Sequence, residues 1–415
     1  MKVIHISTSD KMGGAAVAAF RLHNAMLVSG IDSKYLVLNR TINDRVDILT
    51  VKKIEKYIIK ILNMILEKIT IHAMHAKGGL YSSFKYGIDI SKYPEILEAD
   101  VIYLHWINSF VNYHTFKRIL KNRKPVFWFM HDMFAITGGC HHSFDCTNYQ
   151  TVCRNCPYRE KKHLSPDLSV LQYKIKKKIY KKYDNLVFIV PSKWLFECTQ
   201  KSGLTQNKQA FHIPNLIDTS VFKPMSKDIA RQLFSLDIKK KIIGFGADSA
   251  LINHYKGWGY LKDALEILSK YDSLHDMHIE ILVFGSNYSK TIADNIPFPV
   301  HFLGHLHDEY SLVMVYSCMD IFVIPSLAES FPNTILECLA CDTPVVGFNV
   351  GGIPDTVNSN TGYLAEYKSS EDLAKGVSLL LKKKNPNVNE YVKSFIAEVI
   401  LAKHKEMLDS ECIRY

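Results

Sequence analysis

Short uninterrupted runs of apolar, largely β-branched or aromatic residues recur along the chain, spaced widely enough for a helix between them. In the first half they are VIHIS (3–7), KYLVL (34–38), DVIYLHW (100–106), PVFWFM (125–130) and LVFIVPS (186–192). Both faces of these runs are apolar, which predicts strands buried on two sides in a parallel sheet. The first intervening helix is an alanine-rich stretch that follows Gly13-Gly14 and ends near Gly30, a residue suited to a C-terminal cap. Alternation of strand and helix predicts an α/β fold.

The rhythm breaks at HIPNLIDTSVFKP (212–224), which carries two prolines, and then restarts. The second series is KIIGFGA (241–247), HIEILVFGS (278–286), VHFLG (300–304), DIFVIPS (320–326) and TPVVGF (343–348). Two successive α/β units account for this better than one large sheet, and 415 residues suffice for each to bury its own core. The expected division is 1–217 and 218–390, with 391–415 a helix packing back towards the first unit.

Two segments depart from the pattern by concentrating lysine. Residues 52–69 place Ile54, Tyr57, Ile58, Ile61, Leu62, Ile65 and Ile69 on one helical face, with Lys52, Lys53, Lys56, Lys60 and Lys68 mainly elsewhere. That pattern fits a helix lying on an anionic bilayer, and equally a helix covering the sheet with solvated lysines. KIKKKIYKK (174–182) is a candidate extension of the same basic face. Together they explain a net charge of +10, which suits an anionic partner. Nucleic acid is disfavoured as that partner, because the lysines accompany aliphatic residues and not stacking aromatics.

No run of 18 uncharged apolar residues predicts a membrane-spanning helix, and the first ten residues read as a strand, not a signal peptide. Nine cysteines in such a chain point to reduced thiols or metal ligands and a cytoplasmic location. Cys140, Cys146, Cys153 and Cys156 form C-x5-C-x6-C-x2-C, a candidate structural zinc site, with His141 and His142 as competing ligands. Free thiols are the alternative.

The candidate chemistry sits at the carboxyl ends of the strands, where open α/β sheets bind ligands. In DIFVIPSLAESFPNTILECLACDTPVVGFNVGGIPDTV (320–357), Glu329 follows a strand and a helix starts near Asn333-Thr334. A helix start offers unpaired N–H groups and partial positive charge to a phosphate. Glu329 and Glu337 can accept hydrogen bonds from sugar and ribose hydroxyls. Thr334-x-x-Glu337 also reads as a capping box, a purely structural role. Lys256-Gly257 adds a cation and a flexible backbone after the first strand of the second unit, or else a solvated loop lysine. Gly13-Gly14 precedes a helix without the G-x-G-x-x-G spacing of a dinucleotide site. His131-Asp132 and His105-Trp106 end two strands of the first unit.

The run PSLAESFPNTILECLACDTPVV resembles the E-x7-E signature of retaining glycosyltransferase family 4, and the likeness extends over most of the chain. It implies the GT-B architecture, two Rossmann-like domains facing each other across a cleft. It further implies that Glu329 holds donor-sugar hydroxyls, Glu337 the ribose, and the backbone from Ser330 and Phe331 to Asn333 and Thr334 the diphosphate. Lys256 would contact the same diphosphate, and Gly13 and Gly14 would face it. The phrases MHDMFAITGGCHHSFDC and YLHWIN resemble a subfamily that assembles cell-surface polysaccharides such as colanic acid, O-antigen and capsule. There His131 approaches the transferred sugar, and His105 and Trp106 are assigned to acceptor recognition or packing. Asp342 departs from the family, which usually has glycine there, and Gly246-Ala247-Asp248 lacks its usual arginine.

The implied reaction moves a sugar from a nucleoside-diphosphate donor to a glycan or lipid-linked acceptor hydroxyl, retaining anomeric configuration and requiring no cofactor for catalysis. An enzyme working on a lipid-linked acceptor would sit peripherally at the inner face of the plasma membrane. A sugar-nucleotide epimerase or glycan phosphorylase shares the architecture and stays open. A non-catalytic sugar- or nucleic-acid-binding protein is the alternative of a different class.

Overall fold

In the computed structural model the apolar runs become the central strands of two parallel sheets. It describes residues 1–59, 61–62, 65, 80–158, 167–246, 253–287, 294–306, 308–383 and 387–412. The first sheet contains β1 (Lys2–Ser9), β2 (Asp32–Asn39), β3 (Ile48–Thr50), β4 (Val101–Leu104), β5 (Val126–Phe129), β6 (Leu186–Val190) and β7 (Ala210–His212). Its order is β3-β2-β1-β4-β5-β6-β7, parallel throughout. The second contains β8 (Lys241–Gly246), β9 (Ile279–Phe284), β10 (Val300–Phe302), β11 (Ile321–Ile324), β12 (Val345–Phe348) and β13 (Gly362–Ala365). Its order is β10-β9-β8-β11-β12-β13, again all parallel.

The chain divides into Met1–Leu216 with Ala397–Tyr415, and Ile217–Ile396. The crossing at Leu216 falls inside the proline-marked segment. Helix Ala397–Cys412 belongs to the first unit: its Ile400, Met407 and Leu408 join Val3, Tyr103, Phe127 and Phe129 of the sheet, with Leu22 and Met26 of helix Gly14–Val28. The alternate strand residues Ile4, Ile6, Ile102, Leu104 and Trp128 face the other way, into a core with Phe116, Tyr173 and Tyr180. Every strand named from the sequence is present. Strands β3, β7 and β13 were not anticipated; each is short and lies at a sheet edge, where a strand needs no double-sided apolar run.

Of the two lysine-rich segments, the first exposes its apolar side chains and the second buries one of its lysines. Residues 53–59 are helical, as are 61, 62 and 65; Lys60, Lys68 and Ile69 lie outside the described residues. The helix turns Ile59 inward, while Ile54 and Tyr57 are 75% and 67% exposed and Ile58, Ile61, Leu62 and Ile65 are exposed beside them. The apolar face therefore does not cover the sheet. In helix Leu168–Lys182 one lysine is no surface group at all. Lys176 is fully buried, donates to the Phe134 and Thr137 carbonyls, and lies 3.6 Å above the Phe134 ring. Burial pushes its pKa down to about 7, against the opposing pull of Cys153, Cys140 and Asp132.

Candidate active site

In the second unit, β8 and β11 are neighbours, but the chain leaves β8 for β9 on one side and β11 for β12 on the other. Such a reversal of strand order opens a crevice at the carboxyl ends. Lys256 and Glu329 come from the segments following these two strands. The turn His254–Lys256 ends on Gly257, whose φ of +76° is left-handed and where a Cβ would lie 1.8 Å from the Pro325 carbonyl oxygen. Only glycine fits that approach. Next to it the Leu327 N–H donates to the Tyr255 carbonyl at 2.7 Å.

With the two loops locked, Lys256 Nζ donates to Glu329 Oε1 at 2.7 Å, the side chains being 19% and 13% exposed. The far side of the Glu329 loop is held by Gly351-Gly352. The Gly352 N–H donates to the Glu329 carbonyl at 2.9 Å, and a Cβ on Gly351 (φ +57°) would lie 2.0 Å from that same oxygen.

Helix Asn333–Ala340 starts at this loop with Pro332 as N-cap, no side-chain cap and no acidic residue in its first turn. The capping-box reading of Thr334 and Glu337 is thus replaced by another arrangement. Glu337 is buried and its Oε2 accepts from the Tyr316 hydroxyl at 2.8 Å. Ser330 Oγ is buried without a hydrogen-bond partner among the described residues. Phe331 packs against Phe395, so its side chain serves the core and only its backbone faces the loop chemistry. Asp342 adopts the left-handed φ of +63° that glycine favours, and its Oδ1 accepts from the Val388 and Asn389 N–H groups. That contact holds Val388 against the helix. Residues 247–248 lie outside the described residues.

In the first unit the strand order reverses between β1 and β4. Gly13 follows β1 with φ +88° and caps helix Gly14–Val28 without a side-chain bond. Asp10, which sequence reasoning passed over, is buried there and accepts from the Thr41 and Ile42 N–H groups, tying the loops after β1 and β2. His131 follows β5 and is half-buried. Its Nε2 lies 3.0 Å from His105 Nδ1, and His105 Nε2 lies 2.9 Å from His5 Nδ1. Both ring nitrogens of His105 are therefore engaged and the ring is buried, which removes it from direct acceptor recognition. Burial lowers the pKa of all three imidazoles, that of His131 to about 4.

Asp132 accepts from the Trp106 indole N–H at 3.1 Å and the Phe134 N–H at 2.7 Å, with His141 Nδ1 at 2.6 Å. Burial would raise its pKa, but His141 and the Phe134 amide together hold it below the ordinary value. Trp106 is thereby oriented through its indole nitrogen, its ring half-buried.

Among the described residues Cys140, Cys146, Cys153 and Cys156 form no disulfide. Burial and the neighbouring cysteines push Cys140 up to about 12, and burial pushes Cys153 to about 11, where Sγ accepts the Gly138 N–H at 3.1 Å. Cys153, Cys156 and Cys146 all act on Cys140 as electrostatic neighbours, and among the described residues no group of three histidine, cysteine or acidic side chains meets at one ion position.

The sequence of the second unit matches a family model described as glycosyl transferases group 1 over residues 240–383, which includes Lys256, Glu329 and Glu337. A D-inositol 3-phosphate glycosyltransferase of Mycobacteroides abscessus is 30% identical over 180 residues, 40% of this chain and 38% of that protein. The N,N'-diacetylbacillosaminyl-diphospho-undecaprenol alpha-1,3-N-acetylgalactosaminyltransferase of Campylobacter jejuni is 36% identical over 91 residues, 22% of this chain and 23% of that one. The chain thus spans well under half the length of these curated relatives.

Solved structures extend the likeness of fold beyond that segment. Sucrose-phosphate synthase from Thermosynechococcus elongatus superposes with a TM-score of 0.65 at 16% identity, covering 100% of both chains. HepE of Anabaena in complex with UDP and glucose gives 0.62 at 16% identity, covering 99% of this chain and 100% of that one. The lipopolysaccharide glycosyltransferase WaaG gives 0.61 at 13% identity, covering 98% of each. These likenesses carry the fold, which is GT-B. The second unit brings Lys256, Glu329 and the helix start together at one strand reversal; His131 and Trp106 lie at strand ends of the first unit.

Proposed function

We propose that the chain is a retaining glycosyltransferase that moves a sugar from a nucleoside diphosphate to an acceptor hydroxyl. The supporting observation is the Lys256–Glu329 pair at 2.7 Å beside an uncapped helix start at the β8/β11 reversal. The diphosphate lies against the Lys256 ammonium and the N–H groups near Asn333 and Thr334. Glu329 accepts from the donor sugar and Glu337, steadied by Tyr316, from the ribose. In the transfer step the bond between the anomeric carbon and the distal phosphate oxygen breaks as the acceptor oxygen bonds the same carbon on the same face. The acceptor proton passes to the leaving phosphate. Lys256 and the helix dipole stabilise the charge that grows there, a contribution of about 10²–10³ in rate for one such donor. His131 serves the transferred sugar, and the step uses only groups of the chain and the donor.

A lipid-linked acceptor for cell-surface polysaccharide assembly fits the exposed apolar stripe from Ile54 to Ile65, flanked by exposed Lys52 and Lys53. Such a face complements an anionic membrane surface. The Campylobacter relative is by its name a transferase acting on a diphospho-undecaprenol acceptor. Flotation with anionic vesicles, lost on Ile54→Asp with Ile58→Asp, is the expected result; a wild-type chain that stays at the bottom of the gradient removes the membrane from the proposal. The transfer itself is tested by a thermal-shift screen of nucleoside diphosphates. A ligand at 100 times its Kd adds about 2.7 kcal/mol of stability, and a flat response to every nucleoside diphosphate overturns the reading.

A further inference from the structure

His5, His105 and His131 stand on three adjacent strands or their immediate ends, β1, β4 and β5. All three share one sheet face, since His5 continues the parity of Val3, His105 that of Tyr103 and His131 that of Phe129, residues of one core. Their rings stack in sequence, with centroids 5.2 Å apart for His5 and His105 and 5.3 Å for His105 and His131. Two links, Nδ1 to Nε2 each time, join them at 2.9 and 3.0 Å.

A neutral imidazole has one N–H and one lone pair. Each link needs one of each, so three neutral rings can donate only in one concerted direction, towards His131 or towards His5. The inner end decides between them. His5 Nε2 is buried with no hydrogen-bond partner among the described residues. Donation towards His5 would leave an orphaned N–H there, the rarer and costlier defect; donation towards His131 leaves a lone pair.

We infer that His5 and His105 are positioning residues that fix the tautomer of His131, keeping its Nε2 bare and its proton on Nδ1. The role rests on the proposal that His131 serves the transferred sugar: it makes His131 a standing hydrogen-bond donor to a substrate oxygen, not a base. Groups facing the chain from the packed elements do not charge it. His23 of helix Gly14–Val28 and His404 of helix Ala397–Cys412 are themselves buried with lowered pKa, burial pushes the Tyr35 hydroxyl up so that it stays neutral, and Tyr103 stacks on His5. Asp132 beside His131 favours its charged form but is outweighed by burial.

The test is long-range ¹H–¹⁵N correlation on the full chain labelled with [¹⁵N]histidine, the His131 signals being identified by their loss in His131→Gln. Expected at pH 7, and unchanged at pH 5.5, is a bare Nε2 and a protonated Nδ1. His105→Phe should leave His131 a mixture of tautomers and lower kcat by roughly tenfold, the worth of one hydrogen bond, with little change in KM. His105→Asn, whose amide nitrogen falls near the place of Nδ1, should restore both. A proton on Nε2 of His131 in the wild-type chain overturns the inference, as does an unchanged tautomer in His105→Phe. The wild-type spectrum needs neither a variant nor turnover, so a chain inactive on every donor sugar would sink the transferase reading and leave the tautomer result standing.

Discussion

Replacing Lys256 with alanine removes the ammonium that holds Glu329 and, on the proposed mechanism, meets the donor diphosphate. At 2.7 Å two unit charges in an effective dielectric near 20 attract by ~6 kcal/mol before desolvation is counted. Most of that is offset, because both groups are largely withdrawn from water. The expected loss of folding stability is therefore about 1–3 kcal/mol, much of it from leaving Glu329 without a cation. The catalytic effect should be larger. The bound diphosphate is already anionic, but further negative charge develops on it as the glycosidic bond breaks, so the loss falls chiefly on kcat, by about 10²–10³, or ~2.7–4 kcal/mol. Lys256→Arg keeps the charge and should retain more activity than alanine, while Lys256→Gln keeps a donor to Glu329 and should restore stability without turnover. Release of nucleoside diphosphate from the donor identified by thermal shift measures the rate, and a melting curve verifies the fold. Turnover of Lys256→Ala within threefold of wild type would refute the electrostatic argument, whatever its melting point.

Gly351→Ala places a methyl 2.0 Å from the Glu329 carbonyl oxygen at a φ of +57°; it should displace the Glu329 loop and weaken nucleoside-diphosphate-sugar binding at least tenfold, read by calorimetry, and unchanged affinity would show that the loop does not carry the site. Stability should also fall in mild acid. His5, His105 and His404 are buried with lowered pKa, His404 to about 3, whereas an unfolded histidine takes its proton near 6.5. The unfolded chain then binds more protons as the pH drops, so this stability is complete above about pH 6.5 and is lost below it, by up to ~1.4 kcal/mol per pH unit for each histidine until its folded pKa is reached. A melting temperature constant from pH 7 to 4.5 would contradict that burial, and His404→Phe should flatten the slope.

Much of the site was legible because its signals are local. A strand of apolar residues followed by Pro325-Ser326, Glu329 and a helix start places a carboxylate at a carboxyl end whatever the rest of the chain does. Lys256-Gly257 could be placed in the same way, and the left-handed Gly257 and Gly351 give those glycines their reason. Glu337 was harder: the same spacing served a ribose contact or a capping box, and Pro332 at the N-cap removes the capping box while Tyr316 holds the carboxylate. Tyr316 lies 21 residues earlier on another helix and carries no signal of its role. The cysteine spacing suggested a four-ligand clamp, and what the spacing could not give is side-chain direction: Cys153 is buried with its Sγ accepting the Gly138 N–H.

By itself the sequence determined the α/β class, the central strands, the two-unit chain and the residues at strand ends, since apolar runs and turn residues act over a few neighbours. The tertiary structure decided what depends on sheet order: the edge strands β3, β7 and β13, the burial of Lys176 inside a lysine run, and the Lys256–Glu329 pair. It also decided the alignment of His5, His105 and His131. Parity along each strand puts a histidine on a face, but which strands lie side by side, and in what register, is set by packing between residues about a hundred positions apart. No local pattern encodes that adjacency.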